Sequence, residues 1–274
     1  MDLEAGFKTD VSFAIPSVED VEAMYHPPLA AFSEIGQTGK ELVAIGTAVY
    51  QAVIPSAYNS HLNMMARTAW DWGPGNVWIL AARERLTYPY APLFALAGLF
   101  KTERKTGRKA DWFFWADDDV VVPANVVTAL REAADPETRP FVAAVGHDRY
   151  PPFRAAVWDL QQNAEGLFWR RQWEDGPESG THLVETTGLC AAIFHRSFFD
   201  RVPQPWFAAI PPVVDADGGV SCRINPDAWL CQQCHDAGVP IHVSCDVHIM
   251  HMGLRMPLNR ESAKILRKIF AKPQ

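Results

Sequence analysis

Five consecutive apolar residues, Trp112-Phe-Phe-Trp-Ala116, run directly into three aspartates, Asp117, Asp118 and Asp119. A run of this length with no polar residue at either alternate position has no face to give to water. As a strand it must be covered on both sides, and strands of that kind belong to mostly parallel sheets with helices above and below.

The remaining chain supplies elements to match. Glu41–Val49 reads as a buried strand running through Gly46-Thr47. Ser60–Trp70 has a helical pattern with Leu62, Met65 and Ala69 on one side, and Asp71-Trp72-Gly73-Pro74-Gly75 breaks it before a second strand over Asn76–Ala81. Tyr88–Lys105 is helical in pattern, with Leu93, Leu96 and Leu99 as its apolar face, and Lys101–Lys109 reads as a solvated basic turn. Ala124–Ala133 is a helix and Phe141–Val145 a strand, while 150–180 reads as excursions from the core. Val184–Phe194 resumes strand character. Gln204–Cys222, with Asp215-Ala-Asp-Gly-Gly219, reads as a mobile loop able to close over substrates. Pro226–Gly238 is a helix closed by glycine, Ile241–Ser244 a short strand, and Asn259–Ala271 a basic amphipathic helix. The expected fold class is α/β: a Rossmann-like, mostly parallel sheet flanked by helices on both faces.

Composition is consistent with this. Of 274 residues, 48% are hydrophobic, enough for a core that needs neither disulfides nor a structural metal. The net charge of −7 lacks the overall footprint of a nucleic-acid binder. The apolar stretch Ala91–Phe100 is too short to span a bilayer, and Met1–Asp10 has no hydrophobic core of a signal peptide. Five cysteines, an odd count without secretory context, read as reduced thiols, so a cytoplasmic location is expected. Cys231-Gln-Gln-Cys234 falls inside a predicted helix without a second close pair, so buried thiols are expected there instead of zinc ligands. The expected organisation is a lead-in over 1–40 packed on the main domain, a main domain over 41–255, and the basic helix over 256–274.

Adjacent carboxylates repel, and burial penalises each further. A divalent cation removes both penalties, and hard oxygen ligands suit Mg²⁺ or Mn²⁺. Alternate residues of a strand share a face, which would put Asp117 and Asp119 together and Asp118 elsewhere. In open α/β sheets ligands bind beyond the carboxyl ends of the strands, which is where this cluster falls.

Asp111–Pro123, with its three aspartates, resembles the DxD segment of GT-A glycosyltransferases, particularly the family 2-like group. Further segments are similar in the same order: Thr186-Thr187-Gly188-Leu189-Cys190, Pro205-Trp206-Phe207, Asp227-Ala-Trp-Leu-Cys231, and His251-Met252-Gly253. Gly46-Thr47 and Arg83 match more loosely. The resemblance implies a GT-A fold and metal-dependent transfer of a sugar from a nucleotide-sugar to a hydroxyl acceptor. By it, Asp119 and His251 would bind Mn²⁺ or Mg²⁺, and Asp117 the metal or the ribose. Thr47, Arg83 and Asp118 would line the nucleotide. Thr187, Gly188 and Trp206 would lie against the donor sugar or acceptor. Asp227 would be the general base, giving inversion. Where the family usually has Glu, this chain has Pro226, which leaves one carboxylate in place of two.

Other readings stay open at this point. A nucleotidyl or phosphoryl transferase would also use clustered aspartates, although no GxxxxGK[ST] loop is present. A catalytically inactive nucleotide-sugar-binding relative is compatible with Pro226. A modified DNA base as acceptor would use the Lys101–Lys109 turn and the basic helix, whose residues include Arg260, Lys264, Arg267 and Lys268. His248 is the reserve candidate for His251.

Overall fold

The computed structural model describes residues 41–47, 55–81, 90–148, 150–162, 168–208, 226–253 and 256–270. The expected lead-in over 1–40, Arg83 and the expected mobile segment 215–219 lie outside the described residues.

In chain order the elements are β1 (Val43–Thr47), α1 (Pro55–Trp72), β2 (Val77–Ala81), α2 (Tyr90–Thr106), β3 (Trp112–Ala116), β4 (Val120–Val121), α3 (Val126–Ala133) and β5 (Phe141–Val145). They continue with β6 (Val157–Gln162), β7 (Phe168–Gln172), β8 (Thr181–Val184), β9 (Thr186–Thr187), β10 (Ala191–His195) and α4 (Arg196–Arg201). The last are α5 (Pro226–Asp236), β11 (Ile241–His248), β12 (Met250–Gly253), β13 (Met256–Leu258) and α6 (Arg260–Phe270). No helix among the described residues is long and apolar enough to cross a membrane.

The central sheet has the order β2-β1-β3-β10-β5-β11-β8. β2, β1 and β3 are parallel, as are β5 and β11, while β10 and β8 run antiparallel to their neighbours. Five of the seven strands therefore point the same way. Residues of β3 divide by parity, as a pleated strand requires. Trp112, Phe114 and Ala116 pack with Met64 of α1 and with Val126 and Leu130 of α3. Phe113 and Trp115 pack on the opposite face with Leu96 and Leu99 of α2, Phe198 of α4 and Leu230 of α5. The expected α/β class, a mostly parallel sheet with helices on both faces, is what the chain adopts.

Three local expectations are corrected. On α1 the buried residues are Ala57, His61, Met64, Thr68 and Trp72, while Leu62 faces solvent. His61 and Thr68 disguise the inward face because their polar atoms are satisfied: His61 Nε2 donates to Val120 C=O at 3.0 Å, and Thr68 Oγ1 donates to Met64 C=O at 2.8 Å. α2 runs through the expected basic turn as far as Thr106. Its Glu103 points inward, pairs with Arg196 and accepts from Ala110 N–H, while Lys101 and Arg104 remain in solvent. The stretch expected as one strand over Val184–Phe194 is three: β8 and β10 lie in the central sheet, and β9 joins the β6–β7 hairpin formed from the expected excursions.

α2 crosses β1 where Gly46 has no side chain. A Cβ there would lie 2.9 Å from Phe113 Cε2 and 3.0 Å from Ala95 Cβ. Gly46→Ala should therefore destabilise the fold by about 1–3 kcal/mol, read as a lower urea midpoint at unchanged m-value. An unchanged midpoint would show that the helix sits less tightly than described.

Candidate active site

The carboxyl ends of the parallel strands form one edge, and the sheet register places the candidate residues along it. Thr47, the last residue of β1, is opposite Ala116, and Ala116 is opposite Ala191 of antiparallel β10. The segment preceding β10, Gly188–Cys190, therefore meets the segment following β3. Asp117 N–H donates to Cys190 C=O at 3.0 Å.

The three aspartates do not continue the strand. Val120 N–H donates back to Asp117 C=O at 3.3 Å, closing a turn before β4. The strand alternation expected for Asp117 and Asp119 therefore does not operate, yet the turn keeps those two close. Burial raises the Asp117 carboxyl to about 7; the negative charge of Asp119 adds to this, and the Trp115 indole and His251 oppose it. Asp118 contributes least. Trp115 Nε1 donates to Asp117 Oδ1 at 3.0 Å, an interaction the sequence did not signal.

β12 brings His251 to the turn. His251 pairs with Val120 in the β12–β4 ladder, and Met252 N–H donates to Asp119 C=O at 2.8 Å. The imidazole Nδ1 lies 3.0 Å from His147 C=O, so it carries the proton and donates. Nε2 then faces Asp119 Oδ1 at 3.4 Å. An imidazole with one nitrogen donating to a carbonyl and the other beside a carboxylate has the form of a metal-ligating histidine. Nitrogen and carboxylate oxygen together fit Mn²⁺ or Mg²⁺. Among the described residues no three acidic, histidine or cysteine side chains converge into a complete cation cage.

Asp227 occupies the first turn of α5 and points at the same edge. Its Oδ2 accepts from Leu189 N–H at 3.3 Å, and burial raises its carboxyl to about 7 against the effect of that amide and of His251. Gly188 lies between Ala156 and Asp227: a Cβ there would be 3.1 Å from Ala156 Cβ and 3.7 Å from Asp227 Oδ2.

The structure thus brings Asp117, Asp119, His251, Gly188 and Asp227 together. Thr47 lies on the same edge, and its hydroxyl is 3.1 Å from His61 Nδ1. Since His61 Nε2 donates to Val120 C=O, His61 ties the end of β1 to the strand that follows the aspartates, a role the sequence did not signal. Thr187 is buried, with its hydroxyl donating to Gly188 C=O at 3.2 Å. Trp206 does not join the site. Only 6% exposed, it donates from Nε1 to Val202 C=O and packs against Phe100 and Phe199, so its ring is core. His147, also missed, is buried beneath His251 and is pushed down to about 4 by desolvation.

Two further expectations concern residues around this edge. Cys231 and Cys234 are free and buried, and desolvation pushes the Cys231 thiol up to about 12. The basic helix α6 turns its arginines onto its own chain: Arg260 donates to the carbonyls of Gly176 and Pro177, and Arg267 binds Asp175 and Phe153 C=O.

No family model matches the chain, and no curated protein does. Among solved structures, it is similar to A197 from STIV, at 15% identity over 80% of this chain and 91% of that one, with a TM-score of 0.46. It is also similar to GalNAc-T7 crystallised with UDP, GalNAc and Mn²⁺, at 8% identity over 77% of this chain and 43% of that one, again with a TM-score of 0.46. Likenesses at this level assign nothing to the chain, and the functional reading rests on its own residues.

The raised carboxyl of Asp227 has a consequence for stability. A carboxyl whose folded pKa lies above its usual 3.8 lowers stability progressively as pH climbs from that value through about 7. Asp227→Asn keeps the acceptor for Leu189 N–H and removes the ionisation. It should melt several degrees higher than the parent at pH 8, with the gain disappearing toward pH 4. Equal melting temperatures at pH 8 would contradict the burial described.

Proposed function

We propose that the chain is a metal-dependent glycosyltransferase that moves a sugar from a nucleotide-sugar to a hydroxyl acceptor. The observation that carries this reading is the convergence of Asp119, His251 and Asp227 at the carboxyl edge of a mostly parallel sheet, the edge where open α/β sheets bind ligands. The ordered sequence segments that resemble GT-A transferases supply these same residues.

Asp119 and His251 are the proposed cation ligands, with Asp117 beside them. A bound Mn²⁺ or Mg²⁺ would supply the positive charge that a departing diphosphate requires. Thr47, Arg83 and Asp118 are assigned to the nucleotide. Gly188, packed closely on Ala156 beside Asp227, is assigned to the donor sugar on the resemblance alone. The acceptor oxygen attacks the anomeric carbon from the face opposite the diphosphate. The carbon–oxygen bond to phosphate breaks with its electron pair going to the diphosphate, and the acceptor's proton passes to Asp227, giving inversion. A carboxyl near pKa 7 suits that transfer, because it is partly ionised near neutral pH and more basic than an ordinary carboxylate.

A thermal-shift panel of nucleoside diphosphates and nucleotide-sugars, with and without Mn²⁺, tests the binding half. At least one should raise the melting temperature only when Mn²⁺ is present, and Asp119→Ala and His251→Ala should each abolish that shift. A panel with no Mn²⁺-dependent shift refutes the reading.

Turnover tests the chemical half. With the responding donor, Asp227→Asn should retain the thermal shift but lose about 10²–10⁴-fold in kcat. Wild-type rate should rise with pH through about 7 as Asp227 ionises. A variant as active as the parent removes Asp227 from the role of base.

A further inference from the structure

The imidazole of His251 is aimed by a main-chain carbonyl, that of His147. Such a carbonyl has no side chain of its own to fix it, so its direction is set by what its segment is fastened to. Leaving β5, this segment doubles back on itself. Ala156 N–H donates to Gly146 C=O at 2.8 Å, His147 pairs with Ala155, and Asp148 N–H donates to Arg154 C=O at 2.8 Å. The returning arm reaches the other side of the site, where Gly188 N–H donates to Ala156 C=O at 2.7 Å. One strap thus touches both His251 and the glycine beside Asp227.

The strap is held by α6. Phe153 is fully buried and has a φ of 55°, a backbone conformation that a residue with a Cβ seldom adopts and keeps only where its surroundings impose it. Here α6 supplies those surroundings. Phe153 packs against Ala263 and Leu266, and Arg267 Nη1 donates to Phe153 C=O at 2.7 Å. Arg267 is itself anchored by Asp175, and the neighbouring Glu174 C=O accepts from Ala155 N–H of the strap at 3.2 Å.

We propose that α6 is a clasp that aims the His251 imidazole, with Arg267 as the positioning residue whose hold on Phe153 is passed through the strap to His147 C=O. As a statement about cation binding this rests on the role of His251 given under the proposed function; as a statement about the imidazole it does not. The basic character of the helix then has a local use, because a guanidinium donates to a carbonyl and a carboxylate at once in a fixed fork. Releasing Arg267 lets Phe153 leave the left-handed region and lets His147 C=O turn. His251 then loses the hydrogen bond that fixes which ring nitrogen carries the proton, and Nε2 no longer presents its lone pair beside Asp119.

Two measurements on the full chain test this: nuclear magnetic resonance of the histidine-labelled protein without metal, and titration with Mn²⁺ alone followed by electron paramagnetic resonance. In the parent, His251 should show the Nδ1–H tautomer with a slowly exchanging proton, assigned by its loss in His251→Ala. Arg267→Ala should speed that exchange and weaken Mn²⁺ binding, each by about tenfold or more. Asp175→Asn, which weakens the anchor of Arg267 and keeps its size, should act in the same direction. Arg131→Ala removes a comparable contact, to Glu41 and over Trp112 at the start of β3, and should lower the melting temperature while leaving both His251 readouts as in the parent. A parent that binds no Mn²⁺, but whose His251 proton responds to Arg267→Ala, removes the cation reading and supports the clasp. An Arg267→Ala chain with the parent's exchange rate and Mn²⁺ affinity overturns the clasp, as does an Arg131→Ala chain that loosens His251 equally.

Discussion

Ionising a carboxyl away from water is unfavourable unless positive charge compensates it, and this constraint governs the edge where β3 ends. The sheet needs β3 apolar on both faces, so the chain passes from fully apolar to fully acidic within one residue. Trp115 Nε1 and Leu189 N–H each supply a hydrogen bond, to Asp117 and to Asp227 respectively. Both carboxyls nevertheless stay near 7.

The layered architecture carries that edge from both sides. α1, beneath one face, supplies His61, which joins the end of β1 to β4. α5, above the other face, supplies Asp227. The small β13-β12-β4 sheet lies across the end of the strands and delivers His251. α1 and α5 are held by the two apolar clusters and β12 by its ladder to β4, whose Val120 lies in one of them, so site geometry and core packing are not separable. Gly46 and Gly188 mark places where a side chain would intrude, one under α2 and the other beside Asp227.

Much of this could be read from the sequence because it is periodic or local. The apolar run of β3, the helix over Pro226–Asp236 and the order of the short motifs are properties of neighbouring residues. What could not be read depends on partners far along the chain. His61 and Thr68 mark the inward face of α1 only once Val120 C=O and Met64 C=O are known to accept from them. Glu103 looked like part of a solvated turn because Arg196, its partner, is 93 residues away. Trp206 looked available for a sugar, but Phe100 and Phe199 take up its ring. The pairing of Asp117 with Asp119 was anticipated on the geometry of an extended strand and arises from a turn. His147 gave no signal at all, since its contribution to His251 is a main-chain carbonyl.

The ladder between β4 and β12 gives the Asp119–His251 pair a particular character. Asp119 C=O accepts from Met252 N–H, His251 pairs with Val120, and the imidazole is oriented by the main-chain carbonyl of His147. The loss of rotational freedom that coordination would demand has thus been met during folding. Under the proposed function an incoming ion would meet a backbone already in place, so affinity there would depend on desolvation and ionic radius far more than on ordering the main chain.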